Sequence, residues 1–220
     1  MTSTPAGSLP PPLPPAWYAR AAAEVARDLL GSVVRCVARD GAARMGRIVE
    51  TEAYVGAHDL ACHASKGRTA RTEVMFGPAG RAYVYLVYGL HELFNVVTGP
   101  DGDPQAVLVR AVEPWPGTVG PSGARRGDGP GRLTRLLDID RRLLCHPVDR
   151  PPLTIHAGPA PSQVVATPRV GVDYAGSEWA GARLRFVDGA SRQLSVSLAR
   201  LGPGGYSSRG VRDTSRRPST

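Results

Sequence analysis

Apolar residues in this chain recur mainly in short runs with a period of two, separated by turns rich in Gly, Pro and Asp. The first run is the exception. Ala22, Val25, Ala26, Leu29 and Leu30 fall at helical spacing and predict a helix over 18–30, stopped by Gly31. Residues 32–38 (SVVRCVA) and 45–54 then read as two strands of a hairpin turning at Arg39-Asp40-Gly41. Residues 56–80 hold many turn formers and little periodicity, and so long a connection inside a compact domain is commonly functional. Strands follow at 81–88 (RAYVYLVY), 92–97 (ELFNVV) and 105–112 (QAVLVRAV), the last stopped by Glu113-Pro114. A short helix is expected at 132–137, and Asp140 can cap a second. Residues 150–175 read as Pro-rich and irregular, and 183–198 as a hairpin about Asp188-Gly189. Successive strands without intervening helices imply an antiparallel sheet in an α+β domain.

The length of 220 residues suits a single domain. Residues 1–16 are Pro-rich and expected to be disordered, 17–202 form the domain, and 203–220 read as a flexible basic tail. Three cysteines with no repeated short spacing argue against a disulfide framework or a zinc site. No run approaches the ~20 apolar residues of a membrane span, and no secretory signal is evident. A cytoplasmic protein is the expectation. The formal charge of +8 points to an anionic partner, nucleic acid first. A GC-rich genome would also produce this Arg-, Ala-, Gly- and Pro-rich profile.

Chemistry concentrates between Glu50 and Tyr88. Carboxylates are depleted in strands, yet Glu50 and Glu52 lie two apart in RIVETEAY and would share one strand face. Parallel neighbours do not face each other across a bond, so one acting carboxylate is expected rather than a glycosidase-like pair. An ion pair with one of the many arginines is the bland alternative. Of seven tyrosines, Tyr54, Tyr83, Tyr85 and Tyr88 fall in this window. Core packing explains most sheet tyrosines, but Tyr88 sits at a hairpin tip, where a bulky residue can wedge between base steps. Lys66, Arg68 and Arg71, in the loop with His63, suit phosphate contacts or a solvated face. No spaced histidine partners indicate a metal.

The ordered set RIVETEAY, HASKGRTAR, MFGPAGRAYVYLVYG, FNVV and AVLVRAVEP, with later GPGRL and PRVGVDYA, resembles the alkyladenine (3-methyladenine) DNA glycosylase family over about residues 17–198. The resemblance implies a curved antiparallel sheet flanked by helices, with a protruding hairpin. It implies an enzyme with no cofactor, acting in the nucleoid on double-stranded DNA that contains damaged purines, and a monomer is expected because a single damaged nucleotide needs no two-fold symmetry. By position, Glu52 matches the general base and Arg110 a polar residue near the water and sugar-phosphate. Tyr54, His63 and Tyr85 match the groups that sandwich a flipped base, and Asn95 the residue that disfavours guanine. Tyr88 matches the residue that fills the vacated stack. The 98–104 turn is longer than in some relatives.

A bifunctional glycosylase/lyase usually needs an amine nucleophile, and this chain has a single lysine, Lys66, on a basic loop, with the other amine at the end of the Pro-rich tail, which predicts a monofunctional hydrolase. Two other readings fit parts of the sequence. A non-catalytic module recognising damaged DNA accounts for charge and aromatics but not for Glu52 beside them. A carboxylate-dependent hydrolase of sugars or free nucleosides accounts for Glu52 but not for the charge.

Overall fold

The computed structural model describes residues 9–201; residues 1–8 and 202–220, which include the whole of the expected 203–220 tail, lie outside the described part. Nine strands form one antiparallel sheet that curls into a half-barrel, with a few helices against it. The expected α+β class holds. The strands are β1 (Val33–Val37), β2 (Ala43–Tyr54), β3 (Ala82–Val87), β4 (His91–Thr98), β5 (Gln105–Pro114), β6 (Asp149–Arg150), β7 (Leu153–His156), β8 (Val164–Thr167) and β9 (Arg185–Asp188). The main order is β3-β4-β5-β2-β1-β7-β6.

Strand β2 is the hub. One edge pairs along its length with β5. The other edge pairs first with β1, through Ala43–Arg47, and then with β9, through Glu50–Glu52. Between β2 and β5 the register slips and recovers. Ile48 faces Val112, Glu50 faces Ala111 and Thr51 faces Val109, so Val49 and Arg110 have no opposite residue. Bulges of this kind bend a strand and re-aim a side chain. On the far face of β2, Thr51 donates its hydroxyl hydrogen to the Ala26 carbonyl at 2.7 Å and ties down the helix there.

The expected 18–30 helix is shortened to α2 (Ala22–Asp28), and a separate short helix, α1 (Pro15–Tyr18), precedes it. The shortening is made by tertiary partners. The Gly99 amide donates to the Arg20 carbonyl at 2.9 Å, and the Ala22 amide donates to the Gln105 side chain at 2.8 Å. These bonds hold the chain end-on to the 98–105 turn in place of a continuous helical ladder. Ala22, Val25, Ala26 and Leu29 still bury the predicted face. Helix α3 (Pro130–Leu137) buries Leu133, Leu136 and Leu137, and α4 spans Gly176–Gly181. Asp140 caps a 3₁₀ turn by accepting from the Arg142 amide at 2.9 Å.

Two sequence expectations need correction. Residues 150–175 are not irregular, since they carry β7 and β8. Prolines flank β7 rather than interrupt it, which leaves its amides free to pair with β1. Residues 183–198 do not form a hairpin. Asp188 makes the expected turn, its carboxylate accepting from the Ala190 amide, but the chain beyond does not return along β9. The open edges of β9 are taken by β8 and β2, and the downstream residues go to Glu50. The packed unit also begins before Trp17. The amide of Leu13 donates to the Ile155 carbonyl at 2.8 Å, and His156 Nδ1 donates to the Pro10 carbonyl at 2.7 Å.

Because β7 lies inside the sheet and Leu153 is fully buried, Leu153→Ala should destabilise the protein by about 2–5 kcal/mol. Urea unfolding followed by circular dichroism measures this. A cost under about 0.5 kcal/mol would return the segment to an exposed loop.

Candidate active site

Glu52 is fully buried on β2, and three donors converge on it. The amide of Val170 donates to Oε1 at 2.7 Å. The Tyr54 hydroxyl and Arg110 Nη1 donate to Oε2 at 3.0 and 3.1 Å. Arg110 reaches it from the unpaired position on β5 and spans both carboxylates, its Nε donating to Glu50 Oε1 at 3.0 Å.

Glu50 is saturated from the other side. Arg185 Nε donates to it at 2.7 Å, and the amide and hydroxyl of Ser195 each donate at 2.6 Å. Burial would push the Glu50 carboxyl up, but the guanidiniums of Arg110 and Arg185 and these hydrogen bonds hold it below the ordinary value. Burial works against the Arg110 charge, and the two carboxylates outweigh it, so Arg110 stays protonated. The face of β2 therefore carries two carboxylates and two guanidiniums in balance.

An aromatic cavity opens beside Tyr54. Its walls include Tyr54, His63, Tyr83, Tyr85, Tyr174 and Asn95, and its free volume is about 50 Å³. That is room for one or two waters, and far below the ~300 Å³ at which small-molecule pockets begin. The walls rest on each other. His63 meets Tyr85 edge to face at 4.7 Å, and Tyr83 lies 5.0 Å from Tyr85. Asn95 donates to the Tyr83 carbonyl at 3.0 Å. Burial raises the Tyr54, Tyr83 and Tyr85 phenols, which are neutral.

His63 is within 2.9 Å of the Tyr83 hydroxyl through Nδ1, and Arg71 makes a long 3.5 Å contact to Nε2. A guanidinium can only donate, so Nε2 is the bare nitrogen and Nδ1 carries the proton. Burial first, then the Arg71 charge, lowers His63 to about 4.

Sequence reading missed several supports. Arg169 and Asp59 form a fully buried pair through contacts of 2.5 and 2.8 Å. Arg169 also donates to the Ala53 carbonyl and stacks on the Tyr54 ring at 4.8 Å. This pins the segment that presents the Val170 amide. PRVGVDYA carried a resemblance, but nothing in it announced a partner so far upstream.

The three expected phosphate contacts differ in setting. Lys66 is exposed and, among the described residues, in no ion pair. Arg68 pairs with Glu73 at 2.9 Å and lies over Phe76. Arg71 lies over Tyr85, 4.9 Å from the ring centre. Tyr88 stands at the β3–β4 tip, 92% exposed, with Leu90 75% exposed beside it. Its φ of 52° and the 70° of Gly89 put both residues in the left-handed region, as a type I′ turn requires. A bulky aromatic rarely adopts that conformation.

Residues 16–192 match the family described as methylpurine-DNA glycosylase. The chain belongs to the methylpurine-DNA glycosylase family. A Myxococcus xanthus relative, provisionally named a 3-methyladenine DNA glycosylase, is 56% identical over 179 residues, covering 79% of this chain and 88% of its own length. Relatives with the same provisional name are 47% identical in Methanocella arvoryzae, covering 76% and 88%, and 47% identical in Legionella pneumophila, covering 79% and 92%. The resemblance read from the motifs is thus established for the family.

The His63 environment gives a pH expectation. Its folded value lies below the ordinary 6.5, so the unfolded chain binds the extra proton in between. Its contribution to stability is complete above pH 6.5 and is lost as pH falls through about 4. Titration of the His63 ring by NMR should show a midpoint near 4. A midpoint near 6.5 would mean that the cavity wall is solvated.

Proposed function

We propose that this protein is a monofunctional DNA glycosylase that extrudes an alkylated or deaminated purine from duplex DNA and hydrolyses its N-glycosidic bond. The substrates are drawn from 3-methyladenine, 7-methylguanine, hypoxanthine and ethenoadenine. The observation that carries the reading is Glu52, held buried by Arg110, Tyr54 and the Val170 amide directly behind an aromatic cavity.

The target base is shielded inside the helix and must leave the stack, at a cost of a few kcal/mol. Tyr88, projecting from the hairpin tip, fills the vacated space and offsets part of that cost. Lys66 contributes attraction to the DNA backbone. The base enters as the His63–Tyr85 contact parts, and it stacks among Tyr54, His63 and Tyr85. Asn95, on the cavity wall, disfavours the exocyclic amino group of guanine. Glu52 takes a proton from water as the water oxygen bonds to C1′. The C1′–N bond breaks and its electron pair leaves with the base. A cationic alkylated base departs neutral and needs little help. A neutral lesion depends more on hydrogen bonds in the pocket. The carboxylate charge also stabilises the oxocarbenium-like sugar, and Arg110 orients the carboxylate.

Single-turnover base release from duplexes carrying one hypoxanthine or ethenoadenine tests the reading. Strand scission should require hot alkali, and Glu52→Gln should slow release by about 10²–10⁴-fold while duplex binding persists. Equal rates in the two proteins would remove Glu52 from the chemistry and favour a binding module.

The absence of lyase activity rests on Lys66, the single lysine, which lies exposed on the loop that carries His63. Borohydride added during turnover should trap no protein–DNA adduct. A trapped adduct would show an imine and a bifunctional mechanism.

A further inference from the structure

Two of the cavity tyrosines each carry a guanidinium on the ring: Arg169 on Tyr54 at 4.8 Å and Arg71 on Tyr85 at 4.9 Å. Neither arginine is among the residues that line the cavity. The two differ in charge balance. Arg169 is matched by Asp59 in a fully buried pair, and its field at the cavity is largely cancelled. Among the described residues, no carboxylate lies within salt-bridge distance of Arg71. Its loop neighbour Arg68 is paired with Glu73. Arg71 is therefore the uncompensated positive charge next to the stacking site, in contact with both Tyr85 and His63.

We propose that Arg71 is a specificity-determining residue that biases the pocket away from cationic N-alkylpurines and toward neutral purine lesions. The inference rests on the glycosylase reading above. An aromatic ring attracts a cation through the negative charge on its face. A guanidinium already over the Tyr85 ring uses part of that attraction. It also repels a second cation brought to the same ring. With Arg71 4.9 Å from the ring centre, a base stacked on Tyr85 would lie within about 10 Å of its charge. Arg71 is exposed, so water and salt screen the repulsion, but they do not abolish it within one Debye length. A neutral base feels none of this repulsion. It stacks on the same ring and loses little to the nearby charge. The depressed His63 value has the same source in part, since Arg71 adds to burial there.

The experiment compares wild type with Arg71→Gln and Arg71→Glu. Each is given the same duplex carrying either 7-methylguanine, a cation, or hypoxanthine, a neutral base. Single-turnover release is measured at low and at physiological salt. Removing the charge should raise the 7-methylguanine to hypoxanthine rate ratio by about three- to fivefold at low salt, and less at high salt. Reversing the charge should raise it further. The His63 midpoint should rise in both variants, which reads the local field without reference to turnover. An unchanged ratio, with active wild type, overturns the proposal. So does an equal loss on both substrates together with a salt dependence reduced by about one ion, which would make Arg71 a phosphate contact. Wild type that releases neither base defeats the glycosylase reading itself and this inference with it.

Discussion

The arrangement that everything else depends on is the buried exchange of charge on β2, where Glu50 and Glu52 share Arg110 and Glu50 also takes Arg185. A carboxylate withdrawn from water costs several kcal/mol unless it is paired and hydrogen-bonded. That requirement dictates local geometry. The paired register slips between β2 and β5 turn Arg110 toward both carboxylates. Strand β9 must lie against Glu50–Glu52 to bring Arg185 into range. Such networks add little net stability compared with an apolar core. Their strength is that removing one member strands the rest. The sheet thus keeps Glu52 in one orientation, with its oxygens already assigned to donors.

The aromatic cavity has the opposite character. Its rings touch one another, and each such contact is worth only about 0.5–1.5 kcal/mol. Parting the His63–Tyr85 contact is therefore cheap compared with disturbing the carboxylate network. The division follows the chain. Glu52, Arg110, Tyr85 and Asn95 sit on strands, and His63 sits in a 3₁₀ turn of the 56–80 connection. The sheet carries the buried carboxylate, and the connection carries one wall of the cavity.

Local periodicity was enough to read the central strands, because each is a run of alternating residues closed by a turn former. It failed where a partner lies far away. The Asp59–Arg169 and Glu50–Ser195 contacts join residues 110 and 145 positions apart, and no short-range pattern marks either end. The same cause shortened the first helix, whose backbone groups go to Gly99 and Gln105. Asp188-Gly189 is a real turn, but a turn does not specify which strand its arms will join. Glu50 shows the limit at the site. Spacing put it on the face of Glu52 and expected one acting carboxylate, and it was the resemblance, not the spacing, that singled out Glu52. Both carboxylates have donors on both oxygens, but Glu50 takes its own from Arg110, Arg185 and Ser195, whereas Glu52 adjoins the cavity through Tyr54.

The network also fixes where the working unit ends. The family match stops at residue 192, yet Glu50 accepts from the amide and hydroxyl of Ser195, and Arg185 donates to the Val196 carbonyl at 2.6 Å. A chain without these residues would expose the Glu50–Arg185 pair and loosen Arg110, which touches Glu50 and Ser195 with the same Nε. Arg110 in turn is one of three donors to Glu52. The segment after β9 does not extend the sheet, and its place in the fold follows from what it does for a carboxylate two residues from Glu52. The boundary of the catalytic unit is therefore set by hydrogen-bond satisfaction at a buried charge, and it runs at least through Val196.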